Sequence, residues 1–128
     1  GPGAAVAIPA EDEREAWGVN DRTQLAQAAA VMRARILDEL MSGGVTVIDP
    51  ATTYVDAGVT VGRDTTVLPG SMLQGATHVG NGCQIGPHTT LVDATIGDRA
   101  RIRYALVEHS CVPDDAEVGP FVSVSSVT

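Results

Sequence analysis

Aromatic residues are scarce: one Phe, one Trp and two Tyr make up 3% of 128 residues, although 44% of the chain is hydrophobic. An ordinary globular core of this size uses more large rings, so the apolar content must pack in a narrower form built from Val, Ile and Leu. Cysteine is sparse too. Cys83 and Cys111 form neither a CxxC pair nor a disulfide framework, and Cys83 reads as a buried, reduced thiol, which fits a cytosolic setting. No apolar run approaches membrane-spanning length, and no signal segment with a basic start is visible. Positive charge is short: eight Lys plus Arg against sixteen Asp plus Glu leave a formal charge of −8. Nucleic acid and anionic membrane are therefore excluded as expected partners, and the acidity reads as a solvated surface.

What the chain does have is a period. From Val55 an aliphatic returns every six positions, at Val61, Val67, Leu73, Val79, Ile85 and Leu91. The step shortens to five at Ile96, returns to six at Ile102, shortens at Val107 and Val112, and returns at Val118 and Val124. Four residues after many of these aliphatics sits a small residue: Val59, Thr65, Ser71, Thr77, Cys83, Thr89, then Ala100, Ala116 and Val122. Glycine follows the aliphatic at Gly62, Gly80, Gly86, Gly97 and Gly119. Six fits neither a helix nor a hairpin. A short fixed period marks a solenoid that stacks one small unit. Three hexapeptides make one coil of three short strands, with aliphatics inward and small residues at the bends, and residues 55–124 supply about four coils. Gly is read at these places as permitting backbone conformations closed to other residues.

Ahead of the repeats, Gly1-Pro2-Gly3 resembles a protease-cleavage scar and residues 4–19 read as an irregular lead. Asp21 with Gln24 forms a capping-box pattern that predicts a helix over about Arg22 to Met41, ended by Ser42-Gly43-Gly44. Leu25, Ala29, Met32, Ile36 and Leu40 make one apolar stripe. With so little chain before it, much of that stripe is expected to need another surface. Val45–Ile48 is a short strand turned by Asp49-Pro50. At the other end the chain stops inside a repeat with no cap-like segment, so the solenoid reads as truncated.

The junction is the sharper signal. Gly18-Val19-Asn20-Asp21-Arg22 with Gln24 and Leu25, then Asp49-Pro50 with Thr52-Thr53-Tyr54 and Asp56, then Val118-Gly119-Pro120-Phe121 fall in one order. This order resembles the bacterial bifunctional N-acetylglucosamine-1-phosphate uridyltransferase/glucosamine-1-phosphate N-acetyltransferase, over essentially residues 8–121. The resemblance implies a mainly β chain: a left-handed parallel β-helix over residues 45–128, a linker helix over 21–44, and the tail of a nucleotidyltransferase domain over 4–20. It implies UTP, N-acetylglucosamine 1-phosphate and glucosamine 1-phosphate as the family's substrates, with magnesium and acetyl-CoA as its cofactors. It also implies a cytoplasmic homotrimer packed through β-helix faces.

Residue by residue, little of that chemistry is present. Asn20 matches the family asparagine that helps hold magnesium; without the family it reads as a helix-start residue. The partner aspartate and the Gly-rich nucleotide loop have no match here, so the metal site is incomplete. The family's arginine in an LRPG motif has no counterpart in Val122–Thr128. Neither magnesium nor acetyl-CoA is therefore expected to bind productively to these residues alone. His78, His88 and His109 are candidate bases, each read as a surface or turn residue. Asp114, Asp115 and Glu117 could attract a cation but read as a solvated turn. Gly75, Gly80, Gly82 and Gly86 are repeat glycines rather than a phosphate loop, because no helix follows them. No catalytic residue is expected in this chain. The readings in play are a structural stretch of the transferase, a stand-alone trimeric scaffold without catalysis, and a surviving acetyltransferase, which the absent arginine disfavours.

Overall fold

The computed structural model describes the backbone of residues 10–126 and the side chains of residues 21–126. The chain divides into two units, residues 1–32 and 33–128. In the first, helix α1 (Ala10–Ser42) already begins at Ala10, so Asp21 and Gln24 lie inside the helix and cap nothing. The lead from Ala10 onward is rich in Ala, Glu and Arg, which favour helix, and this outweighs the roughly 1 kcal/mol that an interior Gly18 costs.

The helix ends as its glycines predict. Gly44 adopts φ 98°, the Val45 N–H reaches back to the Leu40 carbonyl (3.1 Å), and the Gly44 N–H reaches the Met41 carbonyl (3.1 Å). These are the two bonds of a Schellman motif, with Gly44 as the left-handed residue. In the second unit Leu37 is the most deeply buried helix residue, 2% exposed, and Ile36 and Leu40 pack partly on the same core. The predicted stripe is thus correct at its C-terminal end but centred one residue off, while Leu25 and Met32 remain exposed. Arg33 lies 4.4 Å over the Tyr54 ring, a cation–π contact at the start of the solenoid.

The solenoid has three parallel faces. The first stacks β1 (Thr46–Val47), β4 (Thr66–Val67), β7 (Gln84–Ile85), β10 (Arg101–Ile102) and β13 (Glu117–Val118). The second stacks β2 (Tyr54–Val55), β5 (Met72–Gln74), β8 (Thr90–Val92), β11 (Ala105–Glu108) and β14 (Val122–Ser125). The third stacks β3 (Thr60–Val61), β6 (His78–Val79), β9 (Thr95–Ile96) and β12 (Cys111–Val112). This is the parallel solenoid that the hexapeptide period implies and the left-handed β-helix that the family resemblance implies. Among the described residues it has four complete coils and two faces of a fifth, more than residues 55–124 alone supply, because β1 pairs directly with β4 and belongs to the first coil.

The core is the aliphatic period itself. Val47, Val67, Ile85, Ile102 and Val118 stand in one register column; Val55, Leu73, Leu91, Val107 and Val124 form a second; Val61, Val79, Ile96 and Val112 form a third. Their central members are completely buried. The three five-residue steps do not break register. Each is absorbed at a shortened corner by one residue in the left-handed region: Asp93 (φ 47°), Tyr104 (φ 47°) and His109 (φ 49°).

The small slots are also polar joints. Thr65 Oγ1 donates to the Gly80 carbonyl (2.8 Å) and accepts from the Cys83 N–H (3.0 Å), linking two coils. Thr77 donates to the Gln74 carbonyl (2.7 Å) and accepts from Ala94 N–H (3.2 Å) in the same manner. Cys83 is buried and free, as read, and its thiol faces the Gly97 carbonyl at 3.0 Å. Among the described residues no buried side-chain polar atom lacks a partner. A hydroxyl in a narrow core is therefore tolerable only where the backbone of its own coil or the next supplies a hydrogen bond.

Candidate functional site

Each corner repeats at every coil, so side chains far apart in sequence become columns. On the first face the outward residues before the aliphatic are Gln84, Arg101 and Glu117 on adjacent rungs. The residues after it are Gly86, Arg103 and Gly119. A surface groove of about 190 Å³ lies at Arg103, lined by Gly86 and Gly119 and walled by Leu68, Pro87, Gln84, Arg101 and Glu117. Both glycines are required. Gly86 has φ 104° and Gly119 φ 101°, and a Cβ would run into Ser71 Oγ at the first and the Arg103 carbonyl at the second. At Gly62, Gly80 and Gly97 the reason is space instead. A Cβ there would meet the side-chain oxygen of Asn81, Asp98 and Asp114 in the next coil.

Those three side chains form a ladder. Asn81 Oδ1 accepts the Arg63 N–H (2.9 Å), Asp98 Oδ1 the Asn81 N–H (2.9 Å), and Asp114 Oδ1 the Asp98 N–H (2.7 Å). Asp114 is thus engaged by the backbone. Its neighbour Asp115 takes two bonds from Arg99, Nε at 2.8 Å and Nη2 at 3.1 Å, and Glu117 lies 3.9 Å from Arg101 Nε. The acidic cluster is a set of inter-coil partners, and no group of three His, Cys, Asp or Glu side chains among the described residues could hold a metal. Those residues do not fit magnesium, since Asp114 and Asp115 already accept inter-coil hydrogen bonds. Asn20 lies outside the described side chains.

Hydrogen bonding from Arg99 holds the Asp115 carboxyl below the usual carboxylate range and raises the Arg99 guanidinium. A depressed folded-state value means the pair stabilises above the unfolded pKa of about 3.9 and is lost as pH falls through the lower folded value. Both groups are exposed, so the contribution is small. Melting curves of wild type and Asp115→Asn are expected to differ slightly at neutral pH and converge in acid below about pH 4. A gap that widened in acid would contradict this assignment.

The three histidines are exposed and are not brought together. His78 Nδ1 lies 2.6 Å from Thr60 Oγ1, and His109 Nδ1 lies 3.7 Å from Asp93 Oδ2, not from its sequence neighbour Glu108. His88 stacks at 5.5 Å on Tyr104, which stacks at 5.4 Å on Phe121, itself 83% exposed. This aromatic column and the arginine-bordered groove escaped the sequence reading. A signal was available: folding the chain at its 16- to 18-residue register steps aligns Pro87-His88, Arg103-Tyr104 and Pro120-Phe121. The second face carries a different pattern. Its outward row is Tyr54, Met72, Thr90 and Leu106, with Tyr54 46% and Met72 37% exposed.

No helix among the described residues is long and apolar enough to cross a membrane. The family description "Bacterial transferase hexapeptide (six repeats)" matches residues 53–92. A protein named Bifunctional protein GlmU from Caldanaerobacter subterraneus subsp. tengcongensis is 44% identical over 122 residues, covering 95% of this chain and 27% of that protein. The protein of the same name from Mycolicibacterium vanbaalenii is 51% identical over 104 residues, 81% of this chain and 21% of its own length. That from Streptomyces avermitilis is 46% identical over 119 residues, 93% and 24% respectively. The chain spans about a quarter of the length of the curated relatives it matches. With the hexapeptide columns, the helix that runs into them and these identities, the chain belongs to the GlmU family, of which it carries a hexapeptide-repeat stretch.

Proposed function

We propose that these residues form the linker helix and early coils of a cytoplasmic bifunctional transferase of UDP-N-acetylglucosamine biosynthesis, within the region of its acetyltransferase domain. The whole protein would transfer uridylyl to N-acetylglucosamine 1-phosphate and acetyl to glucosamine 1-phosphate. The part played by this stretch is structural: it builds a homotrimer and holds the two chemistries apart. The observation that carries the reading is the outward row Tyr54, Met72, Thr90 and Leu106, whose own side chains are all uncharged on an acidic chain, with Arg33 over the Tyr54 ring at its first rung. Three copies of one flat face close around a threefold axis without leaving an edge.

Light scattering at micromolar concentration is expected to give three times the chain mass. Met72→Asp combined with Leu106→Asp places one carboxylate per face at two rungs and is expected to yield monomers, because unpaired charges buried at an interface are strongly disfavoured. A wild-type monomer would sink the trimer. Acetyl transfer from acetyl-CoA to glucosamine 1-phosphate, and magnesium-dependent pyrophosphate release from UTP and N-acetylglucosamine 1-phosphate, are both expected at the no-protein background. Turnover in either assay would overturn the structural role. A stand-alone trimeric scaffold is the second reading, favoured by the inter-coil hydrogen bonds of Asp114 and Asp115 and the looser ion pair of Glu117. The reading frame around these residues separates the two: a nucleotidyltransferase sequence upstream and further hexapeptides downstream exclude the scaffold.

A further inference from the structure

We infer that the groove on the first face binds a small oxyanion-bearing ligand, of phosphate or carboxylate chemistry, with Arg103 as its principal contact and Arg101 in support. This stands independently of the trimer, which uses the second face.

Three arginines follow one another at Arg99, Arg101 and Arg103, in a chain whose eight basic residues are all arginine and whose net charge is −8. Carboxylates are abundant, yet they do not neutralise the three equally. Arg99 is fully engaged by Asp115 through two short bonds. Arg101 has only a loose approach to Glu117 at 3.9 Å, beyond hydrogen-bond reach. Arg103 has no side-chain acceptor or ion-pair partner among the described residues, while its backbone N–H is bonded to Val118. Of the three, Arg101 and Arg103 line the groove, and Arg103 is the less neutralised of these two.

The groove itself suits a small anion. Gly86 and Gly119, at the rungs on either side of Arg103, line it without a side chain of their own, and Gly119 is partly exposed there. Leu68 and Pro87 give one apolar wall, and Gln84 offers an amide at the rung next to Arg101. A planar guanidinium fork matches two oxygens of a phosphate or carboxylate, and charge-assisted bonds of this kind are the strong ones. Glu117 tunes the site: its carboxylate weakens the hold on a bare anion, whereas a ligand carrying a hydroxyl or amine beside its anionic group can bond to it.

The test titrates inorganic phosphate, and separately acetate, into the intact chain at constant ionic strength, following backbone amide resonances of Gly86, Arg103 and Gly119. Saturable shifts are expected with an affinity of about millimolar. Arg103→Gln is expected to weaken binding at least about tenfold with the rest of the spectrum unchanged, and Arg35→Gln on the helix is expected to leave it intact. Glu117→Gln is expected to strengthen binding a few-fold, roughly three to ten, by removing a like charge and freeing Arg101. Saturation by either anion with this mutational pattern supports the site; saturation by phosphate alone assigns it to phosphate. Linear shifts with both anions, or saturation that Arg103→Gln does not weaken, would overturn it.

Discussion

Replacing Ile85 with alanine is expected to destabilise the solenoid by about 3–4 kcal/mol, the range for removing a large aliphatic from a core that cannot collapse. Ile85 is completely buried, between Val67 on one rung and Ile102 on the other. Its column runs along a backbone ladder whose rungs are held about 4.8 Å apart by inter-coil hydrogen bonds. The neighbours cannot move inward to fill the cavity without breaking that ladder. Thermal unfolding followed by circular dichroism is expected to shift downward by roughly 10–20 °C. Val124→Ala makes the same kind of deletion where the side chain is only half-buried, and a markedly smaller shift is expected. Equal shifts at the two positions would show that the stacked columns are not what holds the coils.

Gly86→Ala tests the corner rather than the core. Two independent penalties meet there. The residue has φ 104°, a region that L side chains rarely adopt, and the added Cβ would press on Ser71 Oγ and lie 3.0 Å from the Leu68 carbonyl oxygen. Backbone strain of this kind is of order 1–3 kcal/mol, and the close approach adds to it, giving about 2–4 kcal/mol in all. Gly82→Ala is the control. It also has positive φ (68°), in the left-handed well, but its Cβ would meet nothing closer than Arg99 Cγ at 3.4 Å, so about 1 kcal/mol is expected. If both variants melted together, close packing at the Gly86 corner would not be the cause.

The groove depends on that same corner. Gly86 and Gly119 are small for reasons of fold, because neighbouring residues already fill the places their side chains would take, and both line the groove beside Arg103. Fold necessity and binding capacity are thus linked at one place, so the anion titration belongs on Arg103 and Glu117 variants, which leave the corner backbone alone.

Much of the architecture was legible in the chain itself. The six-residue return of Val, Ile and Leu determined a three-faced solenoid, since only inward positions need to be aliphatic and each face supplies one per coil. The glycines after Ser42 determined where the helix stops. The helix start was not legible, because a local capping pattern at Asp21 and Gln24 competes with the good helix formers before it, and the latter prevailed. Nor was it legible that Leu37 rather than the Met32 line of the stripe would pack on the core, since several faces of an Ala-rich helix carry apolar residues.

The site was the least legible part. Coils of 16 to 20 residues have no constant offset, so which side chains share a column is decided only when the strands pair. The short steps were visible as a stumble in the period. That each one is absorbed by a left-handed corner at Asp93, Tyr104 or His109 was decided by the need to keep aliphatics in register. The same stacking turned Asp114, Asp115 and Glu117 from a possible cation site into inter-coil partners, and left Arg103 without one. Sequence by itself therefore determined the repeat, the direction of its core and its kinship with the GlmU proteins. Tertiary structure alone decided which charges meet, because charge pairing in a solenoid runs along the axis, perpendicular to the chain.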